Sequence, residues 1–559
     1  MPGENKAQSA GARSFFAGRP GGLLIAGVAL LCSLALAAAS LRHTDSIAFP
    51  IDDGYIYSNY VAAGAQGQFF TYNPGETSGG ITGLGWYLLC LLAYGLLAPF
   101  HSLLGGLAPT LVASDGPLAA QAGHLYLAAY VPGAACLVAT GLGARKLADL
   151  ALANVEGKQL SRDVLCWLLG VIAAADLGLT WGAMSGLEIA LSSAAVAWAL
   201  CLLLLDWRRG GHGWSLLLCA VLPWARPDLL VFAGVGLVWL LLRFLLARDS
   251  HVRGRAGRFF LAYLVAAAAG AGLMSLTYFL GWGRPLPSSF YAKVGGLRLF
   301  SGFGSAAQEL LIAGRYFAFV IAAVALLGGL VWLLAPSSRS RHAETRWAAL
   351  LLLVSLVGYV FTLMLIQPWF GQEDRYLLPV HPCAVVLVGM LLWYFVSAVP
   401  VERLLAQRFV LPVLAGATIA LAVLTNYVWA TRTYVVYVRN ITDAHVAPAL
   451  WLSQNTPQDA LVASEPIGAV RLFSGRRTFD VVGLTSPAAL GTYGAWPTME
   501  AAMRKAGAGY LLIYPVWFDD GEPHEWAVEK VRYSVPDNRI AGQDLIAVYE
   551  LRFDAATSP

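Results

Sequence analysis

Stretches of about twenty apolar residues, each closed at its ends by charge, recur along this chain and dictate most of what it can become. They fall at about 21–40, 122–144, 163–183, 187–205, 214–226, 228–247, 258–280, 309–335, 346–366, 376–398 and 409–430. In lipid such a run satisfies its own backbone hydrogen bonds only as a helix. With 58% hydrophobic and 13% charged residues and a mean hydropathy of +0.63, the chain reads as a polytopic α-helical membrane protein of about 11 spans. The net charge of +4 is a small Lys/Arg excess of the kind cytoplasmic loops carry, and no basic-aromatic stripe or zinc-knuckle spacing accompanies it, so it implies no nucleic acid. The seven cysteines lie almost all inside apolar runs, without CxxC spacing, and read as small membrane hydrophobes.

Charge sets the expected topology. Residues 1–20 are a polar tail with Lys6, Arg13 and Arg19, and the run after them is long for a signal peptide, so it is expected to be a retained first span. The apolar segment 83–98 is expected to lie along the membrane surface. If it does not cross, Arg145–Lys146, Lys158–Arg162, Arg208–Arg209, Arg243–Arg258, Arg339–Arg346 and Arg403–Arg408 all fall on the side of the N-terminus. The expected organisation is a cytoplasmic tail (1–20), a transmembrane domain (21–430) with a large first outer loop (41–121), and an extracytoplasmic α/β domain (431–559), in the cytoplasmic (inner) membrane. In the last part, HVAPALWLSQNTPQDALVASEP reads as helix, turn and strand. RTFDVV, YLLIYP and QDLIAVYELRF read as further strands, and PTMEAAMRKAG as a helix.

The same sorting collects ionisable residues on the outer side. Asp52 and Asp53 follow the first span in FPIDDGYIYSNYVAAG, a sequence suited to a short interfacial helix. Two adjacent carboxylates repel, which argues for use rather than stability. They can accept a proton from a hydroxyl, or hold a divalent cation (Mg2+, Mn2+ or Ca2+) near lipid headgroups. Glu188 opens a later span. Arg226 and Asp228 flank Pro227 between two spans and could pair with each other or clamp a phosphate. Arg284, Tyr291 and Lys293 lie in an irregular outer loop, GWGRPLPSSFYAK. QPWFGQEDRYLLPVHP carries Arg375, the best single candidate for a phosphate headgroup, with His381 deeper in the span.

These segments resemble the GT-C superfamily of polytopic glycosyltransferases that use polyprenyl-phosphate sugars, in the branch similar to bacterial arabinofuranosyltransferases and aminoarabinose and mannosyl transferases. The resemblance is carried by IDDGYIYSNYVAAGAQGQFFTYNPGE, SGLEIAL, RPD and RPLPSSFYAK, with support from RYLLPVHP and IGAVRLFSGRRTFDVVGLTSP. It implies an outer cavity capped by an extracytoplasmic domain. An acidic residue of the first outer loop, Asp52 or Asp53, would be the catalytic base, the donor a polyprenyl-phosphate-linked pentose or hexose, and the acceptor an extracytoplasmic glycan, lipid or protein. SGGITGLGW after NPGE departs from the family pattern and leaves the acceptor open. The rival readings are a lipid-linked sugar transporter or flippase, and a non-catalytic membrane subunit.

Overall fold

The apolar runs fold as helices, and the polar residues that close them fix where each one stops. In the computed structural model, which describes residues 15–112, 116–152, 158–210, 213–293, 343–366, 371–397, 399–405, 407 and 409–553, the first is α1 (Arg19–Thr44). It opens on Pro20, where a missing N–H costs nothing, and ends at Asp45, which takes φ 52° and turns the chain out. The interfacial helix α2 spans Asp53–Gly64 and α3 spans Leu84–Leu97. Then come α4 (Gly116–Ala151), the bent pair α5 (Gln159–Ala174) and α6 (Leu177–Ala183), and α7 (Ile189–Arg209). The rest of the bundle is α8 (Trp214–Ala225), α9 (Leu230–Leu246), α10 (Ser250–Trp282), α11 (Ala343–Ile366), α12 (His381–Val396) and α13 (Val410–Asn455).

Among the described residues nine helices are long and apolar enough to cross a membrane, or ten if the pair α5–α6, bent by 52°, is one span. The protein is thus an integral membrane protein. The expected run at 309–335 lies outside the described residues. That at 214–226 folds as α8, whose 12 residues reach only about 18 Å. Close helix packing uses small residues: a Cβ on Gly133 would stand 2.0 Å from the Ala183 carbonyl oxygen at the end of α6.

The segment Leu84–Leu107 has the length and apolarity to span, as α3 followed by a 3₁₀ stretch. Its two ends, however, are tied to one stretch of the first loop. The Gly83 N–H donates to the Tyr57 hydroxyl (2.8 Å), and the Leu107 carbonyl accepts from the Ile47 N–H (3.0 Å). Between them, His101 meets His124 in the opening turns of α4.

Helix α13 runs for 46 residues, about 69 Å, from the bundle into the C-terminal domain. There is thus no linker at residue 430. Two π-helical stretches, Ala430–Tyr434 and Thr442–Val446, interrupt its regular hydrogen bonding. Beyond it lie β1 (Leu461–Ser464), α14 (Ile467–Ser474), β2 (Arg477–Asp480), α15 (Trp496–Ala506), β3 (Tyr510–Ile513), β4 (Ala527–Ser534) and β5 (Leu545–Leu551). The sheet order is β2-β1-β3-β5-β4, parallel across β2, β1 and β3 and antiparallel beyond. Strand β4 and helix α14 were not anticipated. Glu529, Lys530 and Arg532 charge the β4 edge and mask its alternation, which also protects the edge from pairing. One apolar cluster runs from α1 through Phe49, Tyr55, Tyr126 and Tyr434 to Phe473 and Ile546, so one face of the C-terminal sheet packs with the first loop and the bundle, while a separate cluster around Met503, Leu511 and Tyr549 fills the other face.

Candidate active site

Asp53 is the first residue of α2 and Asp52 its N-cap, so the two side chains leave the helix about 100° apart and meet different neighbours. Asp53 faces a cavity of about 350 Å³ and accepts a hydrogen bond from Arg375 Nη1 at 2.7 Å. Glu188, Arg226, Asp228 and Tyr376 line the same cavity. Arg226 presents a fork to Asp228 (3.0 and 2.9 Å), lies 3.7 Å from Glu188, and Tyr359 donates to Asp228 from behind (2.9 Å). Both guanidiniums pack on the Tyr376 ring, at 5.2 Å for Arg226 and 5.1 Å for Arg375. Each is more than nine-tenths buried, and a buried guanidinium persists only when paired.

Backbone conformation delivers Arg375. Gln372, Glu373 and Asp374 take φ of 60°, 60° and 51°, a left-handed run without glycine that costs on the order of 1 kcal/mol per residue. The turn sends Arg375 to the first cavity and its two acidic neighbours to the opposite side. The Glu373 carboxylate accepts from the Tyr437 hydroxyl. Glu373 and Asp374 line a second cavity of about 600 Å³ with Asp176, His381 and Asn426. Adjacent charges do not neutralise one another here.

Five of the residues singled out in the sequence therefore converge: Asp53, Glu188, Arg226, Asp228 and Arg375. His381 does not join them. The short helix Leu378–Val380 rotates it toward α5 and α6, where it lies 3.2 Å from Asp176, the residue that caps α6. It lines the second cavity, apart from Arg375. Arg284 is exposed, over the rings of Trp282 and Tyr291 (5.6 and 5.1 Å). Neither Arg284 nor Tyr291 lines the cavity, although Leu286, Pro287, Ser289 and Phe290 between them do. Lys293 ends the helical turn Ser288–Lys293, and its side chain lies outside the described residues.

Asp52 is bound by the C-terminal domain. Its carboxylate accepts from the N–H groups of Gly468 (2.7 Å) and Ala469 (2.9 Å), and lies 3.1 Å from His445 Nδ1. His445 carries no sequence signal, and the α14 segment, although part of IGAVRLFSGRRTFDVVGLTSP, gives no sign that its backbone meets Asp52. The two aspartates thus meet different partners. Asp52 is taken up by two amides and an imidazole, Asp53 by a guanidinium, and the described residues gather no group of three or more His, Cys, Asp or Glu fit for a metal. Asp52 and Asp53 therefore do not form together the divalent-cation site that their adjacency allowed.

Behind Asp52 stand two further carboxyls. Burial, followed by the charges of Asp52, Asp480 and Asp53, pushes Glu465 up to about 8. Burial pushes Asp480 up to about 6 against the opposing amides of Thr485, Val482 and Gly483. The folded state holds the Glu465 proton until about pH 8, whereas an unfolded chain releases it near the ordinary value of 4.5. The contribution of this group is therefore full below pH 4.5 and is lost as pH rises to about 8. Glu465→Gln should raise the unfolding temperature of the detergent-solubilised protein by several degrees at pH 8.5 and by little at pH 5, which a pH series of thermal melts will read.

Comparison with known proteins bears on the fold. Residues 437–550 match the family model described as Domain of unknown function (DUF8728). No curated protein sequence matches the chain. Among solved structures it is similar to ArnT from Cupriavidus metallidurans bound to undecaprenyl phosphate, at 14% identity and TM-score 0.55, over 95% of this chain and 98% of that one. It is also similar to the oligosaccharyltransferase AglB from Archaeoglobus fulgidus in complex with an inhibitory peptide and a dolichol-phosphate, at 11% identity and TM-score 0.54, over 93% of this chain and 75% of that one. A further structure of the A. fulgidus oligosaccharyltransferase, solved with Zn and sulfate, gives 12% identity and TM-score 0.51, over 87% of this chain and 67% of that one. At these identities the likeness is one of fold.

Proposed function

Taking that GT-C membrane fold as premise, we propose that the chain is a glycosyltransferase. It moves a sugar from a polyprenyl-phosphate donor to a hydroxyl-bearing acceptor at the outer face of the membrane, with Asp53 as the general base. The observation that carries this reading is the 2.7 Å contact between Asp53 and Arg375 on the wall of a cavity that also holds Arg226. A phosphate headgroup needs cations in a place shielded from water, and the attacking hydroxyl needs a carboxylate beside them. The similar ArnT and AglB structures were solved with undecaprenyl phosphate and with dolichol-phosphate, which supports a lipid phosphate as the donor's carrier.

In this reading Arg375 turns from Asp53 to the incoming phosphate, and the Asp53 carboxylate accepts a proton. The acceptor oxygen attacks C1 of the sugar as its proton passes to Asp53. The C1–O bond to phosphate breaks, its electron pair stays on the phosphate monoester, and the anomeric configuration inverts. No general acid is required, because the leaving group is stable as the anion. Arg226 and Arg375 offset its charge, while Glu188 and Asp228 hold Arg226 in place and are available to sugar hydroxyls. The C-terminal domain then lies outside the membrane, and the tail before α1 inside.

The test is incubation of the purified protein with a panel of radiolabelled polyprenyl-phosphate sugars. Release of free polyprenyl phosphate together with label on an acceptor supports the enzyme. Movement of intact donor across proteoliposomes without its consumption would support a flippase instead.

A further inference from the structure

In the C-terminal sheet, β1 leads through α14 to β2 on one side, and the chain returns through α15 to β3 on the other. The connections part between the carboxyl ends of β1 and β3. In parallel sheets this is where ligands bind, and an anion is received there by the first amides of the helix that follows β1. In this protein that place is filled from within the chain, by Asp52.

The fit is detailed. Asp52 Oδ2 takes the Gly468 N–H and Oδ1 the Ala469 N–H, in the first turn of α14. A Cβ on Gly468 would stand 2.3 Å from the Asp52 carbonyl oxygen and 2.9 Å from Oδ2, so only glycine admits the carboxylate this closely. From the β3 side, the Gly542 N–H donates to the Tyr514 hydroxyl (3.0 Å), which lies 2.8 Å from His445 Nε2. With the Tyr514 O–H donating to Nε2, Nδ1 carries the proton and donates to Asp52 Oδ1 at 3.1 Å. His445 reaches this point from the π-helical stretch of α13. Gly468, Ala469, His445 and Tyr514 all belong to the segment 437–550 that matches the domain family of unknown function, whereas Asp52 does not.

We infer that this domain is an anion cradle whose resident ligand is the Asp52 carboxylate, and that its grip on Asp52 is what holds the next residue, Asp53, at the cavity wall. Asp52 is then a positioning residue. A second tie supports the same register: the Gly468 carbonyl accepts from Asn59 Nδ2 and the Ile467 carbonyl from the Tyr72 hydroxyl, each at 2.8 Å.

The experiment uses the full-length protein in detergent and hydrogen exchange at the α14 amides. Asp52→Ala should speed exchange at Gly468 and Ala469 by on the order of tenfold or more, because the acceptor that protects them is gone. Formate, a carboxylate small enough for the vacated place, should restore protection, and chloride at matched ionic strength should not. Equal exchange in wild type and Asp52→Ala, or rescue by chloride as good as by formate, would overturn the cradle. Should Asp52→Ala fold poorly, His445→Gln is the second variant. It keeps the carboxylate, so the two amides stay protected, while removal of the Nδ1 donor should weaken the docking and lower the unfolding temperature; an unchanged melt would count against the imidazole arm. The positioning role alone rests on the proposed activity. In a transfer assay Asp52→Ala should lower kcat, leave the donor KM unchanged, and recover kcat with formate. A fall in donor affinity without a fall in kcat would contradict it and leave the exchange result standing.

Discussion

Asp53→Asn should nearly abolish the proposed sugar transfer while leaving a folded protein in the membrane. An amide at that position still accepts a hydrogen bond from Arg375 but takes no proton from the acceptor hydroxyl. Loss of a positioned general base costs about 10²–10⁴ in rate. The fall should appear in kcat, because the groups assigned to the donor phosphate, Arg226 and Arg375, are untouched. The variant also replaces a charge pair at 2.7 Å by a neutral hydrogen bond to a guanidinium only 7% exposed, so a modest drop in unfolding temperature accompanies it. Transfer rates and thermal melts of the same preparations separate the two effects. Activity within a few-fold of wild type would remove Asp53 from the mechanism.

Arg375→Met should cost about as much, by another route. The methionine keeps apolar packing against Tyr376 but offers no charge to the leaving phosphate, and removal of one preorganised donor from a shielded site costs about 10²–10³ in rate. Donor affinity should fall as well, because the phosphate is charged before the reaction as after it. Arg375→Lys tests geometry at constant charge. An ammonium cannot pack its plane on the Tyr376 ring, as the guanidinium does at 5.1 Å, and still reach Asp53, so it should recover part of the affinity and little of kcat. Steady-state kinetics against donor concentration reads both. If Arg375→Met binds and turns over donor like wild type, the phosphate lies elsewhere.

The membrane class was legible because lipid leaves the backbone one solution, and long apolar runs declare it. The convergence of Glu188, Arg226, Asp228 and Arg375 with Asp53 was legible for a related reason. Each sits at the end of a span or in a short connection, and spans bring their ends to two levels only. What separates Asp52 from Asp53 was not legible. Adjacent residues on a helix diverge by about 100°, and what waits in each direction is set by Gly468 and Arg375, more than 300 positions away. His381 is close to Arg375 in sequence, but the backbone turns between them, and the Asp176 beside it carries no cue in the sequence. His445 and Tyr514 are single residues without motif spacing, and only the folded sheet joins them to the first loop. Glu465 lies in a plain strand-to-helix turn, and its neighbours Asp52 and Asp480 come from distant segments.

The most direct measurement is a cryo-electron microscopy structure of the protein with undecaprenyl phosphate. The proposal expects the phosphate between Arg375 and Arg226, with Arg375 turned away from Asp53. Phosphate density in the cavity of Asp176 and His381, with the Asp53–Arg375 pair still closed, would contradict it.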